Sequence, residues 1–211
     1  MTVFPQTDIY CITDHSHSKG RDNLFVVKKM LENGIKILQY REKFKSIKEK
    51  YLECLEIRKL TKKYNCCFIV NDHVDLAILC DADGVHLGQD DLPLKEVRKL
   101  IGNNKIIGIS THNPSQAIEA QKSGADYIGV GPIFKTSTKV DVCEPVGLTY
   151  LDFVVKNIKI PFVAIGGIKE DNLLSVIKRG ANCVCLVTEI TEAENIDEKI
   201  MNLKRICNCS V

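Results

Sequence analysis

Eight short runs rich in β-branched residues, at 9–13, 35–41, 66–71, 84–87, 106–110, 127–131, 162–165 and 183–188, alternate with segments of helical character. The helical segments lie near 22–33, 46–64, 73–80, 94–101, 114–123, 149–157, 170–179 and 195–206. In the second of them Tyr51, Leu52, Leu55 and Ile57 mark an apolar face between lysines and glutamates. Glycine closes several helices just before the next strand, at Asn33-Gly34, Ser123-Gly124 and Arg179-Gly180. Strict alternation of this kind calls for a parallel sheet covered by helices. With eight strands the expected solution is a closed α/β barrel, a (β/α)8 TIM barrel, formed by one domain over 1–211. A doubly wound open sheet is the competing fold. It would want a glycine-rich turn after the first strand, where this chain has Thr13-Asp14-His15-Ser16-His17.

Composition narrows the function classes. Lys and Arg (29) nearly balance Asp and Glu (27), so the net charge of +2 argues against a nucleic-acid partner. No apolar run is long enough to span a bilayer, and the first residues lack the basic-then-apolar layout of a signal peptide. A cytoplasmic protein without a membrane partner is expected. None of the ten cysteines forms a paired CxxC or Cys/His set at zinc spacing, so they read as reduced thiols, mostly small core hydrophobes. Eight amphipathic helices offer patches for a homo-oligomer without marking which.

In a barrel of this class the chemistry sits where the strands end at their C-termini. Strand 2 ends Gln39-Tyr40-Arg41-Glu42-Lys43, and period-2 alternation puts Gln39, Arg41 and Lys43 on one face. Those residues either line the mouth, where an anion would offset the desolvation of the cations, or form an ordinary charged turn. Asp72 after strand 3 and Asp91 after strand 4 could each cap the following helix. As a pair beside cations they suit Mg²⁺, which is usually held by one or two carboxylates, waters and substrate phosphates. His73 and His86 are less convincing as ligands and read as packed histidines or as histidines that support a site residue from behind. Ser110 ends strand 5, as a donor to substrate or as an N-cap or turn residue before Asn113-Pro114.

Strand 6 runs into Gly131-Pro132 and a loop carrying Thr136, Ser137, Thr138 and Lys139, hydroxyls and a cation suited to a phosphate or to plain solvation. Gly166-Gly167 after strand 7, with backbone amides near Val187 and Thr188 at the end of strand 8, make either a tight turn or the monophosphate site this fold places in its last loops. Two anion sites in one mouth, one of them metal-assisted, imply a diphosphate that leaves. No strand-end Cys–His or Ser–His–acid set stands out for covalent catalysis.

Six motifs carry a family resemblance over nearly the whole chain. They are Gln39-Tyr40-Arg41-Glu42-Lys43, Asn71-Asp72, the run from Gly84 to Asp91, the run from Gly129 to Phe134, Thr136-Ser137-Thr138-Lys139 and the run from Ala164 to Ile168. In these the chain resembles the thiamine-phosphate synthase family. The resemblance implies a transferase that joins hydroxymethylpyrimidine diphosphate to thiazole phosphate with Mg²⁺. Gln39, Arg41, Lys43 and Asn71 would bind the pyrimidine diphosphate, and Asp72 and Asp91 the metal. Ser110 would face the pyrimidine and Lys139 the diphosphate. Thr136, Thr138, Gly167, Val187 and Thr188 would hold the thiazole phosphate, and Arg41, Lys43, Ser110 and Lys139 would carry the catalysis. Two positions depart from the family pattern: Tyr40 replaces a commoner aliphatic residue, and Glu189 puts a carboxylate next to the expected phosphate site. A thiazole tautomerase, a phosphosugar isomerase or a catalytically silent barrel would not need the set Lys43, Asp72, Asp91 and Lys139.

Overall fold

The computed structural model of the chain describes residues 3–136, 138 and 143–208. Lys139 and Ser137 therefore lie outside the described residues. Among the described residues, the strands are β1 (Ile9–Ile12), β2 (Ile37–Tyr40), β3 (Cys67–Asn71), β4 (Gly84–Leu87), β5 (Ile106–Thr111), β6 (Tyr127–Val130), β7 (Phe162–Ile165) and β8 (Val184–Cys185). They pair in parallel with their neighbours, and β8 returns to β1, closing the barrel. The helices are α1 (Asn23–Glu32), α2 (Ile47–Lys63), α3 (Val74–Leu79), α4 (Leu94–Ile101), α5 (Pro114–Lys122), α6 (Gly147–Asn157), α7 (Leu173–Ile177), α8 (Val187–Thr191) and α9 (Ile196–Asn208).

Two apolar layers follow from strand parity. Ile9, Cys11, Leu38, Phe68, Val70, Val85, Ile107, Ile128 and Val130 point outward and pack under the helices. Tyr10, Ile12, Ile37, Ile69, Ile106, Tyr127, Val163 and Cys185 point inward and fill the barrel. Burial on both faces is why the strands read as nearly continuous apolar runs. The helix starts are locally encoded. Ser46 and Glu49 form a reciprocal capping box on α2, and Asn113 accepts from the Gln116 amide ahead of Pro114 on α5.

A repeated device closes the N-terminal face. Asp83, just before β4, accepts from the Phe68 amide and from both terminal nitrogens of Arg58 in α2 at 2.8 and 2.9 Å. Asp126, just before β6, accepts from the Ile107 amide and from Arg98 in α4. Both are bridges at the end of the barrel that serves stability.

The last strand is the main correction. It covers only Val184 and Cys185, and Val187 and Thr188 open the short helix α8 instead of ending β8. The β-branched side chains at 184, 187 and 188 suggested a strand. The ladder partners on β1 and β7, however, reach only Val184 and Cys185. No described helix is long and apolar enough to cross a membrane.

Candidate active site

The C-terminal ends of the strands open into one cavity of about 870 Å³. It is lined by every described candidate: Gln39, Arg41, Lys43, Asn71, Asp72, Asp91, Ser110, Thr136, Thr138, Gly167, Val187 and Thr188. The parity expected along β2 holds. Gln39 is buried in the barrel and donates to the Tyr10 hydroxyl at 2.9 Å. Tyr40 faces the helices and donates to Glu53 of α2 at 2.6 Å, so this departure from the family pattern is absorbed outside the cavity. Glu42 is buried on the same outer side, accepting from the Lys43 amide and from Asn23.

Arg41 is not a free cation. Its guanidinium meets the buried Asp14 at 3.1 Å, and Asp14 also faces His17 at 3.3 Å. The Arg41 backbone is clamped as well: its amide donates to the Thr13 hydroxyl, which donates to the Arg41 carbonyl. The carboxylate holds the guanidinium in place and leaves its remaining donors for a ligand.

Neither Asp72 nor Asp91 caps a helix. His73 and Pro93 occupy the cap positions, without a side-chain cap bond. Asp72 sits at φ +60, a conformation an aspartate tolerates better than most residues, and its amide donates to the His86 carbonyl. Lys43, in the loop after β2, reaches across to Asp72 at 2.8 Å. Asp91 accepts from the Gly88 amide at 2.6 Å, folding its loop back over the mouth. Burial raises the Asp72 carboxyl, but the hydrogen bond and charge of Lys43, joined by Asp91 and His86, hold it below the usual range. Asp91 is pushed up by burial and by the negative charge of Asp72. Two carboxylates side by side, one raised by the other, form an anionic pair that a divalent cation would relieve; the donor set fits Mg²⁺ completed by water and phosphate oxygens. His73 is turned away, accepting from Lys50 of α2 at 3.3 Å.

The floor of the cavity adds Tyr10 and Tyr127, to which sequence reasoning assigned no role, to Gln39, His86 and Ser110. Gln39, Tyr10, Tyr127, His86 and Ser110 are joined hand to hand at 2.9, 2.9, 2.8 and 2.9 Å. The one available signal was parity: inward-facing strand tyrosines need polar partners for their hydroxyls. Ser110 does not cap α5, since Asn113 does. His112 also lines the mouth, with Nδ1 against the Gly131 carbonyl at 2.6 Å.

At the opposite side, the loop after β6 packs on the loop after β7. The Ile133 and Phe134 amides donate to the Ile165 and Gly166 carbonyls. Gly166 and Gly167 take φ +97 and +64, and a Cβ on either would strike Pro132 or the Lys135 carbonyl at 2.4 and 2.5 Å. The glycines are thus required for the two loops to seat on each other. Thr136 and Thr138 turn their hydroxyls together at 3.1 Å at the rim. Glu189 does not oppose an anion here. Its carboxylate is drawn to Lys199 of α9 at 3.0 Å, and Lys199 also pairs with Glu170.

The fold and site define a (β/α)8 barrel with an acidic and cationic cluster at one side of its mouth and a glycine-backed loop pair at the other. Comparison with known proteins narrows that class. The sequence model of the family described as thiamine monophosphate synthase matches residues 9–190. A thiamine-phosphate synthase of Pelotomaculum thermopropionicum is 61% identical over 201 residues, covering 95% of this chain and 92% of the relative. That of Lawsonia intracellularis is 59% identical over 198 residues, covering 94% and 91%. A solved thiamine phosphate pyrophosphorylase from Pyrococcus furiosus superposes with a TM-score of 0.88 at 35% identity, covering 97% of this chain and 96% of that one. The chain belongs to the thiamine monophosphate synthase family and is accordingly an enzyme, a transferase.

Proposed function

We propose that the chain transfers the hydroxymethylpyrimidine group from its diphosphate to the ring nitrogen of thiazole phosphate, in a Mg²⁺-dependent reaction that releases diphosphate and forms thiamine phosphate. The observation that carries this reading is the convergence of Lys43, Asp72 and Asp91 on one side of a cavity whose other side is the glycine-backed loop pair. Asp72 and Asp91 would hold Mg²⁺, whose charge, when bound, neutralises the departing diphosphate. Arg41 and Lys43 bind that diphosphate, and the family resemblance adds Lys139. Asp14 keeps the Arg41 guanidinium aimed. Gln39, Asn71 and Ser110 orient the pyrimidine, while Thr136, Thr138, Gly167, Val187 and Thr188 take the thiazole phosphate.

In this reading the bond between the pyrimidine methylene and the diphosphate oxygen breaks first, and its electron pair leaves with the diphosphate. The electron-rich aminopyrimidine spreads the resulting positive charge. The lone pair of the thiazole nitrogen then forms the new carbon–nitrogen bond. The cations act on charge that develops only in the transition state, so their loss should appear in kcat. A thiazole tautomerase would have no use for Lys43 pressed against Asp72. We place the protein in the cytoplasm, which the nine free thiols among the described residues support.

Asp91→Ala and Lys43→Ala test the assignment by steady-state kinetics. Each should lower kcat by about 10²–10³. Near-normal turnover in both variants would contradict it.

A further inference from the structure

The chain of groups under the cavity is a built feature. Register places His86, Gly108 and Tyr127 in one row across three strands. Gly108 carries no side chain, and a Cβ there would stand 2.1 Å from Tyr127 Cζ. The missing side chain is what lets Tyr127 reach over β5 to His86. In the next row Gly129 pairs with Ser110, and a Cβ on Gly129 would touch His86 Cε1 at 3.4 Å. Two glycines thus clear the space in which two phenols, an imidazole and a hydroxyl meet. Apolar side chains would fill this interior without desolvating any polar group, so the polar set calls for an explanation other than packing.

Its hydrogen bonds have a direction. Gln39 Nε2 can only donate, so the Tyr10 oxygen accepts from it and turns its own proton to Tyr127. Burial pushes both phenols far above their usual range, so both keep their protons. Tyr127, accepting from Tyr10, donates to His86 Nδ1. His86 then carries its proton on Nε2 and donates to Ser110 Oγ. The Ser110 hydroxyl proton is left to point elsewhere. At the other end Tyr10 takes one of the two Gln39 N–H groups, which fixes the amide plane and leaves its carbonyl oxygen for a ligand.

We infer that Tyr10, Tyr127 and His86 are positioning residues that set the donor–acceptor polarity of the pyrimidine subsite, Gln39 offering an acceptor and Ser110 a donor. The inference rests on the proposed function, since it takes the pyrimidine diphosphate as the ligand above the floor. The polarity matches an aminopyrimidine, which offers an amino donor beside a bare ring nitrogen. It mismatches the 4-oxo counterpart, in which the exocyclic group accepts and a ring nitrogen donates. The mismatch is costly because the buried Tyr10 bond fixes the Gln39 amide, whose carbonyl oxygen would then face the exocyclic oxygen of the 4-oxo ring.

Two measurements test this. In wild-type protein labelled with ¹⁵N-histidine, the His86 signals, identified by their loss in His86→Gln, should show the proton on Nε2 and a bare Nδ1. A proton on Nδ1 overturns the inference. Second, kcat/KM is compared for the aminopyrimidine diphosphate and its 4-oxo analogue in wild type, Tyr10→Phe and Tyr127→Phe. Each variant should shrink the preference for the amino substrate by about tenfold or more, with KM for thiazole phosphate unchanged. An unchanged preference, or an equal loss for both pyrimidines, overturns it. No product from folded wild type would defeat the proposed function and with it the pyrimidine reading, while the His86 proton position would separately report whether the hydrogen-bond chain runs in the stated direction.

Discussion

Gly108→Ala offers a direct way to weigh the packed floor of the barrel. The added methyl would lie 2.1 Å from Tyr127 Cζ and 2.3 Å from Cε1. Carbon atoms settle at roughly 3.5–4.0 Å, so ring or strand must yield by about 1.5 Å. The ring has little room, because Phe4 stacks on it at 4.6 Å and Tyr10 stands 5.9 Å away between centroids. Overpacking of this kind costs about 1–3 kcal/mol. Parting Tyr127 from Tyr10 and His86 leaves buried polar groups short of partners, at about 1–3 kcal/mol each. The sum over the overpacking and the two lost bonds is roughly 3–9 kcal/mol, which for a chain of this size lowers Tm by about 6–36 °C. Gly129→Ala is the matched comparison: its methyl meets His86 at 3.4 Å, and the cost should stay below about 1 kcal/mol. Thermal unfolding followed by circular dichroism measures both. If Gly108→Ala melts within about 2 °C of wild type, the account of the floor is wrong.

Other consequences are simpler. Without metal at neutral pH, Asp91→Asn should raise Tm, because it removes a charge that burial and Asp72 both disfavour while keeping an acceptor for the Gly88 amide. Because the Asp91 pKa is raised in the folded state, that advantage exists only where Asp91 is ionised and should fade as pH falls through the raised value. Lys199→Met frees Glu189 beside the phosphate loops and should raise KM for thiazole phosphate about 3–10-fold, with recovery in Lys199→Met/Glu189→Gln. Arg58→Lys breaks the two-pronged bond to Asp83 at the far end of the barrel, so it should cost about 1–3 kcal/mol in denaturant unfolding and leave kcat unchanged.

Much of the barrel was legible in the chain because alternation and burial speak at short range. The runs at 84–87 and 162–165 coincide with β4 and β7. The run at 183–188 misled, because what ends β8 after Cys185 is the reach of its two neighbours, a tertiary fact. Strand parity correctly separated Gln39, Arg41 and Lys43 from Tyr40 and Glu42, since period 2 is a property of the backbone. The polar floor was hidden for the opposite reason. Tyr10, His86 and Tyr127 lie on different strands: the register across Gly108 sets His86 beside Tyr127, and Tyr10 meets Tyr127 across the barrel interior. Likewise, what draws the Glu189 carboxylate aside is Lys199 in α9, far from Glu189's own strand end.

The central claim is the reaction itself. Purified protein is mixed with hydroxymethylpyrimidine diphosphate, thiazole phosphate and Mg²⁺, and thiamine phosphate is followed by thiochrome fluorescence beside a diphosphate assay. The account predicts equal amounts of the two products, abolished by EDTA and by Asp72→Asn/Asp91→Asn. Folded wild-type protein that forms no thiamine phosphate, or forms it equally well in EDTA, would contradict it.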